Sequence, residues 1–166
     1  AKSFNTDVNH EIAPVYQTVT VRKGDNLFEM ELPMGQDFLI WDEFSPALYR
    51  LTATLKNGKQ IETKQIQFGM REFTINGKWF YINGRKTMLR GTVENCDFPL
   101  TGYAPMDVAS WERVFRICRS YGLNHMRFHS YCPPEAAFIA ADLVGFYLQP
   151  EGPSWPNHGP KLGNGQ

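Results

Sequence analysis

Cysteine is scarce in this chain of 166 residues: there are three, Cys96, Cys118 and Cys132. The number is odd and the spacing matches no metal motif. Free thiols are expected, with at most one pair, and a disulfide framework or a cysteine-bound zinc is excluded. Excess charge is also missing. Lysine plus arginine and aspartate plus glutamate number 17 each, for a formal net charge of zero. Residues 1–65 carry 7 basic and 9 acidic groups, and residues 66–166 carry 10 and 8. Neither half has the basic surplus that a nucleic-acid partner calls for. No apolar run approaches the roughly 20 residues that span a bilayer, so no membrane insertion is expected. The opening residues, AKSFNTDVNHE, do not resemble an export signal, which says little, since a chain can begin inside a larger protein or after a removed leader.

Aromatic residues are plentiful, with 4 Trp, 7 Tyr and 12 Phe. Many must be core. Trp79, Trp111 and Trp155, however, stand beside polar loops and suit a ligand with apolar faces and hydroxyl edges, such as a sugar.

The first part of the chain reads as β-structure. Stretches 16–25, 26–35 and 36–45 alternate apolar with polar residues and are bounded by Gly, Pro and Asp, which predicts three strands. Residues 48–55 and 59–68 predict a hairpin around Asn57-Gly58, a pair that favours a type I′ turn. Together these strands imply part or all of a β-sandwich. Two more turn signals, Asn76-Gly77 and Asn83-Gly84, predict short antiparallel pairs that lead into the second half.

That second half alternates strand with helix. Short apolar runs at 88–92, 123–130 and 145–151 predict strands. Between the first two, Asp107 is placed to cap a helix whose stripe is Val108, Trp111, Val114, Phe115, Cys118 and Tyr121. Arg113, Arg116 and Arg119 fall on its opposite, solvated side, and Gly122 stops it. Pro133-Pro134 starts a second helix, closely packed through Ala136, Ala137, Ile139, Ala140 and Leu143, that ends at Gly145. On the middle strand His125, Arg127 and His129 share one parity, while Met126, Phe128 and Ser130 share the other. A buried Arg127 needs a carboxylate partner. Polar residues gather at the strand ends, where a parallel barrel does its chemistry.

Taken in order, Pro46-Ala47-Leu48-Tyr49, Phe68-Gly69-Met70-Arg71, Asn83-Gly84, Arg90-Gly91, Gly122-Leu123-Asn124-His125-Met126-Arg127, Asp142-Leu143-Val144-Gly145 and Glu151 form a run covering about residues 38–155. This run resembles glycoside hydrolase family 2, the family of β-galactosidases, β-glucuronidases and β-mannosidases. The resemblance implies an immunoglobulin-like β-sandwich portion at 1–68 and, at 69–166, the first two to three strand–helix units of a (β/α)8 TIM barrel. An eight-stranded barrel needs about 250 residues, so the chain is expected to be an inactive fragment of something longer. An unclosed barrel leaves strand edges open, and an isolated chain is expected to form a homo-oligomer or a domain-swapped assembly.

The implied activity is retaining hydrolysis of terminal β-linked sugars of oligo- or polysaccharides. Two glutamates about 5 Å apart carry it, one protonating the leaving oxygen and one attacking the anomeric carbon. Both are expected beyond Gln166, and Glu94, Glu135 and Glu151 match neither motif. The resemblance implies that Asn95, Asp97, His129 and Glu151 meet sugar hydroxyls and that Arg127 supports the catalytic carboxylates from behind. Trp155 is expected to face the carbohydrate. It lies near the segment where some β-galactosidases carry a metal-binding glutamate. No such carboxylate stands here, so neither a metal nor another cofactor is expected. His129 and Ser130 are exchanged relative to the β-galactosidase order, and the motif does not name the sugar. A protein that degrades polysaccharide would be periplasmic or extracellular rather than cytoplasmic. A non-catalytic carbohydrate-binding or structural module of the same fold is the alternative.

Overall fold

A computed structural model describes residues 1–153; Trp155 and His158 lie outside the described residues. The first sheet is antiparallel, with β1 (Lys2–Ser3), β2 (Tyr49–Asn57) and β3 (Gln60–Phe68) side by side in that order. β2 and β3 pair along their full length, from Tyr49 opposite Phe68 to Asn57 opposite Gln60. The turn between them departs from type I′. Asn57 is still in the ladder, so the two central residues are Gly58 and Lys59, and Gly58 carries the positive φ of 57°. Glycine at the first central position is the type II′ pattern.

The three strands expected between residues 16 and 45 do not form. That stretch has no ladder, and isolated bridges tie its end to its surroundings, Ile40 with Met70 and Trp41 with Pro46. Tyr16 and Leu27 are 86% and 88% exposed. Alternation creates an apolar face, but a strand also needs a neighbouring ladder and a surface on which to bury that face. Among the described residues this stretch lacks the ladder, and most of its apolar side chains stay exposed. This half therefore contains one antiparallel sheet rather than two packed layers.

The second sheet is a meander of β4 (Phe73–Asn76), β5 (Trp79–Ile82) and β6 (Arg85–Thr87), set up by the two later Asn-Gly signals. At Asn83-Gly84 both residues have positive φ, 50° and 72°, the type I′ combination.

The third sheet is parallel. β7 (Gly91–Glu94), β8 (His125–Phe128) and β9 (Tyr147–Pro150) lie in that order, linked by α1 (Val108–Ser120) and α2 (Glu135–Val144). The first strand starts at Gly91 rather than at the expected Met88. Asp107 caps α1 by accepting the Ser110 N–H at 2.8 Å. Tyr121, expected on the buried stripe, is 80% exposed because it sits at the C-cap, where the helix has ended. Met126 and Phe128 turn toward the helices, as their shared parity requires. They form one core with Trp111 and Phe115 of α1, Ala137 and Ala140 of α2, and Phe146. Phe115 stacks on Phe146 with ring centroids 4.8 Å apart, and Trp111 meets Phe128 edge-on at 5.8 Å.

A smaller core joins the sheets to one another through Trp41, Leu48, Ile82 and Tyr147, with Leu143 of α2 against it. Beside it lies Arg119, whose position corrects an expectation. It does not share a solvated face with Arg113 and Arg116. It is half-buried, and its Nη1 donates to the carbonyl oxygens of Glu43, Val144 and Gly145 at 2.5, 2.7 and 3.0 Å. The last carbonyls of a helix lack intrahelical donors, and a cation is favoured at that negative end. Arg119 supplies both to α2.

Candidate functional site

The parallel sheet lines up its polar strand ends. Glu94 pairs with Phe128, and Phe128 pairs with Pro150. The next residue on each strand is therefore Asn95, His129 or Glu151, in one row along the C-terminal edge. Five of the six residues expected from the sequence lie within the described part, and the structure connects four of them. His129 Nδ1 is 3.1 Å from Asn95 Oδ1. Arg127 Nε donates to Glu151 Oε1 at 2.6 Å, and the Ser130 N–H donates to Glu151 Oε2 at 2.9 Å. The carboxylate that Arg127 needs is thus Glu151, on the neighbouring strand. The fifth, Asp97, is exposed, and its N–H donates to Glu94 Oε1 at 3.2 Å.

Glu151 is held below the ordinary carboxylate range, first by the Ser130 N–H and then by its hydrogen bond to Arg127. Hydrogen bonds to the charged form favour ionisation. Glu151 is therefore a fixed anion, each of whose oxygens already accepts one hydrogen bond. His125, on the same face as Arg127, is buried. That burial pushes its imidazole down, against an opposing hydrogen bond that it donates to the Gln149 side chain. All three cysteines are free thiols, and burial pushes the Cys118 thiol up. Among the described residues no group of three or more His, Cys, Asp or Glu side chains could hold a metal ion.

From the sequence Glu94 is weighed only as a catalytic acid and Ser130 only as a residue exchanged with His129, and neither is given a site role. Glu94 accepts the N–H of Cys96 at 3.1 Å as well as that of Asp97. A strand-terminal acid two residues before a polar turn was the available signal. Ser130 left no signal, because its φ of 63° is a tertiary outcome.

Residues 2–71 match the family model Glycosyl hydrolases family 2. A β-galactosidase of Thermoanaerobacterium thermosulfurigenes is 30% identical over 131 residues, which is 78% of this chain and 18% of the relative. A β-galactosidase of Bacteroides ovatus is 28% identical over 127 residues, 75% of this chain and 15% of the relative. The chain belongs to glycoside hydrolase family 2. Solved structures are similar as well. A β-glucuronidase of Parabacteroides merdae superposes with a TM-score of 0.61 at 28% identity, over 76% of this chain and 17% of that one. A β-D-glucuronidase of Dictyoglomus thermophilum superposes with a TM-score of 0.65 over 72% of this chain and 20% of that one, and at 23% identity this is a likeness of fold. The chain spans at most a fifth of the length of any of these relatives.

Proposed function

We propose that this chain joins an immunoglobulin-like portion, residues 1–68, to the first strand–helix units of a (β/α)8 barrel, residues 69–166, in a retaining glycosidase of β-linked sugars. One observation carries this reading. Asn95, His129 and Glu151 stand in register at the C-terminal ends of three consecutive parallel strands, in a chain of family 2. That edge is where barrel enzymes place their chemistry. In this role Asn95 and His129 offer hydrogen bonds to sugar hydroxyls. Arg127, held at its Nε by Glu151, offers its remaining guanidinium N–H groups to carboxylates entering from other strands.

The catalytic pair comes from elsewhere in the protein. A general acid needs a carboxyl group that keeps its proton near neutral pH. Glu151 is displaced the opposite way, and Glu94 spends both oxygens on backbone N–H groups. The relatives include both β-galactosidases and β-glucuronidases, so the sugar is left to experiment. The test is a panel of nitrophenyl β-glycosides, given separately to the full-length protein and to the 166-residue chain. The full-length protein is expected to hydrolyse at least one with retention of anomeric configuration, and the chain alone none. Turnover by the chain would overturn the placing of the carboxylates. Silence of the full-length protein across the panel would overturn the glycosidase reading.

A further inference from the structure

Two residues on the rim adopt a backbone conformation that side-chain-bearing residues avoid. Cys96 has φ 59° and Ser130 has φ 63°. The left-handed region brings Cβ too close to the following carbonyl, and such residues persist only where their surroundings over-determine them. Both directly follow a rim residue, Cys96 after Asn95 and Ser130 after His129. A carboxylate also grips each one by its own N–H. Glu94 Oε2 accepts from Cys96, and Glu94 Oε1 accepts from the next residue, Asp97. Glu151 Oε2 accepts from Ser130, while Glu151 Oε1 holds Arg127. Between the two grips His129 faces Asn95, and the His129 N–H donates to the Glu94 carbonyl at 2.8 Å.

We propose that Glu94 and Glu151 are positioning residues: each clamps the left-handed residue beside Asn95 or His129, so that these two side chains present one preformed hydrogen-bonding unit to a sugar hydroxyl. The identity of the ligand rests on the glycosidase reading above, whereas the clamping itself does not. Each oxygen of both carboxylates already accepts one of these bonds, which ties each acid to the turn it holds. Glutamine has a single acceptor oxygen in place of two. A Glu151→Gln variant must give up Arg127 or Ser130, and a Glu94→Gln variant must give up one of its two N–H groups. Glycine adopts positive φ without strain, so glycine at the gripped position makes its own clamp unnecessary.

The experiment uses the full-length protein with Glu94→Gln, Glu151→Gln, and each combined with Cys96→Gly or Ser130→Gly. Small misplacements of binding groups cost on the order of 10–100-fold in rate. The single glutamine variants are therefore expected to lose kcat/KM on that scale. The matched glycine (C96G with E94Q, S130G with E151Q) should recover part of the loss, and the swapped glycine should recover none. Where a glutamine variant fails to fold, the same rule is read by circular dichroism: the matched glycine restores folding and the swapped one does not. Hydrogen exchange followed by mass spectrometry gives a readout independent of activity. Protection at residues 96–97 should fall in E94Q, and protection at residue 130 should fall in E151Q. Absence of rescue, rescue by either glycine alike, or unchanged protection in the folded variants would overturn the proposal. A wild-type protein inactive on every glycoside would remove the ligand but leave the exchange measurement to judge the clamps.

Discussion

Trp41 donates its indole N–H to the carbonyl oxygen of Asp142 at 2.7 Å, joining a loop ahead of β2 to the last turn of α2. The ring is 2% exposed and meets Tyr147 edge-on at 5.7 Å. The same loop gives its Glu43 carbonyl to Arg119 and its Glu43 carboxylate to Arg90, the latter at 3.3 Å. This loop and the small core around Trp41 together hold the helical half to the antiparallel half. Replacing Trp41 with Phe keeps an aromatic ring and removes the hydrogen bond, and should cost about 1 kcal/mol. Replacing it with Ala also empties a buried site and should cost about 3–5 kcal/mol. Urea unfolding followed by far-ultraviolet circular dichroism will read both, and equal losses would contradict the separation.

Arg119 should behave as a structural rather than a surface arginine. Its three carbonyl partners sit on two segments, the Glu43 loop and the end of α2. Hydrogen bonds from a charged donor are worth about 1.5–3 kcal/mol. Arg119→Met should lower stability by that amount, while Arg113→Met, on the exposed side, should change it by less than about 0.5 kcal/mol. Thermal melts of the two variants side by side provide the comparison.

Two glycines with positive φ should respond differently to alanine. At Gly58 (φ 57°) the added Cβ meets open space, so the cost is conformational, about 1–2 kcal/mol. At Gly145 (φ 76°) the Cβ would also lie 2.9 Å from the Glu43 carbonyl oxygen, beneath the Arg119 guanidinium. Gly145→Ala should therefore be the more damaging, and denaturant midpoints falling in the reverse order would refute this packing.

His125 sets a pH dependence. Burial lowers its imidazole below the ordinary 6.5. The unfolded chain then takes up a proton that the folded chain refuses. Stability is full above the ordinary value, falls as pH drops below it, and levels off under the folded value. His125→Gln should flatten this slope. Melting temperatures recorded from about pH 7 to about pH 5 cover the window in which an unperturbed histidine titrates.

The parallel half was legible in the sequence because its signals are local. Asp107 and Gly145 mark helix ends, and Met126 and Phe128 fix which face of β8 is buried. Arg127 asked for a carboxylate and found one in Glu151. The stretch from 16 to 45 misled for a physical reason: alternation records which residues could share a face, not whether a partner is present to cover it. Arg119 misled in a related way, since helical spacing puts it opposite Trp111 but cannot show that the end of another helix lies on that side. The carboxylate grips on Cys96 and Ser130 were invisible because only the folded backbone reveals which residues need them.

The two rim turns also differ in when they can be finished. Glu94 grips N–H groups two and three residues ahead of it, so the first turn is complete as soon as that short stretch leaves the ribosome. Ser130 waits for a glutamate 21 residues further on, and that glutamate arrives only after α2 has formed and β9 has docked. Contacts of longer sequence separation form later, so the second half of the rim is assembled after the first. A nascent chain stalled before residue 151 would therefore have the Glu94 turn able to close and the Ser130 turn still without its acceptor.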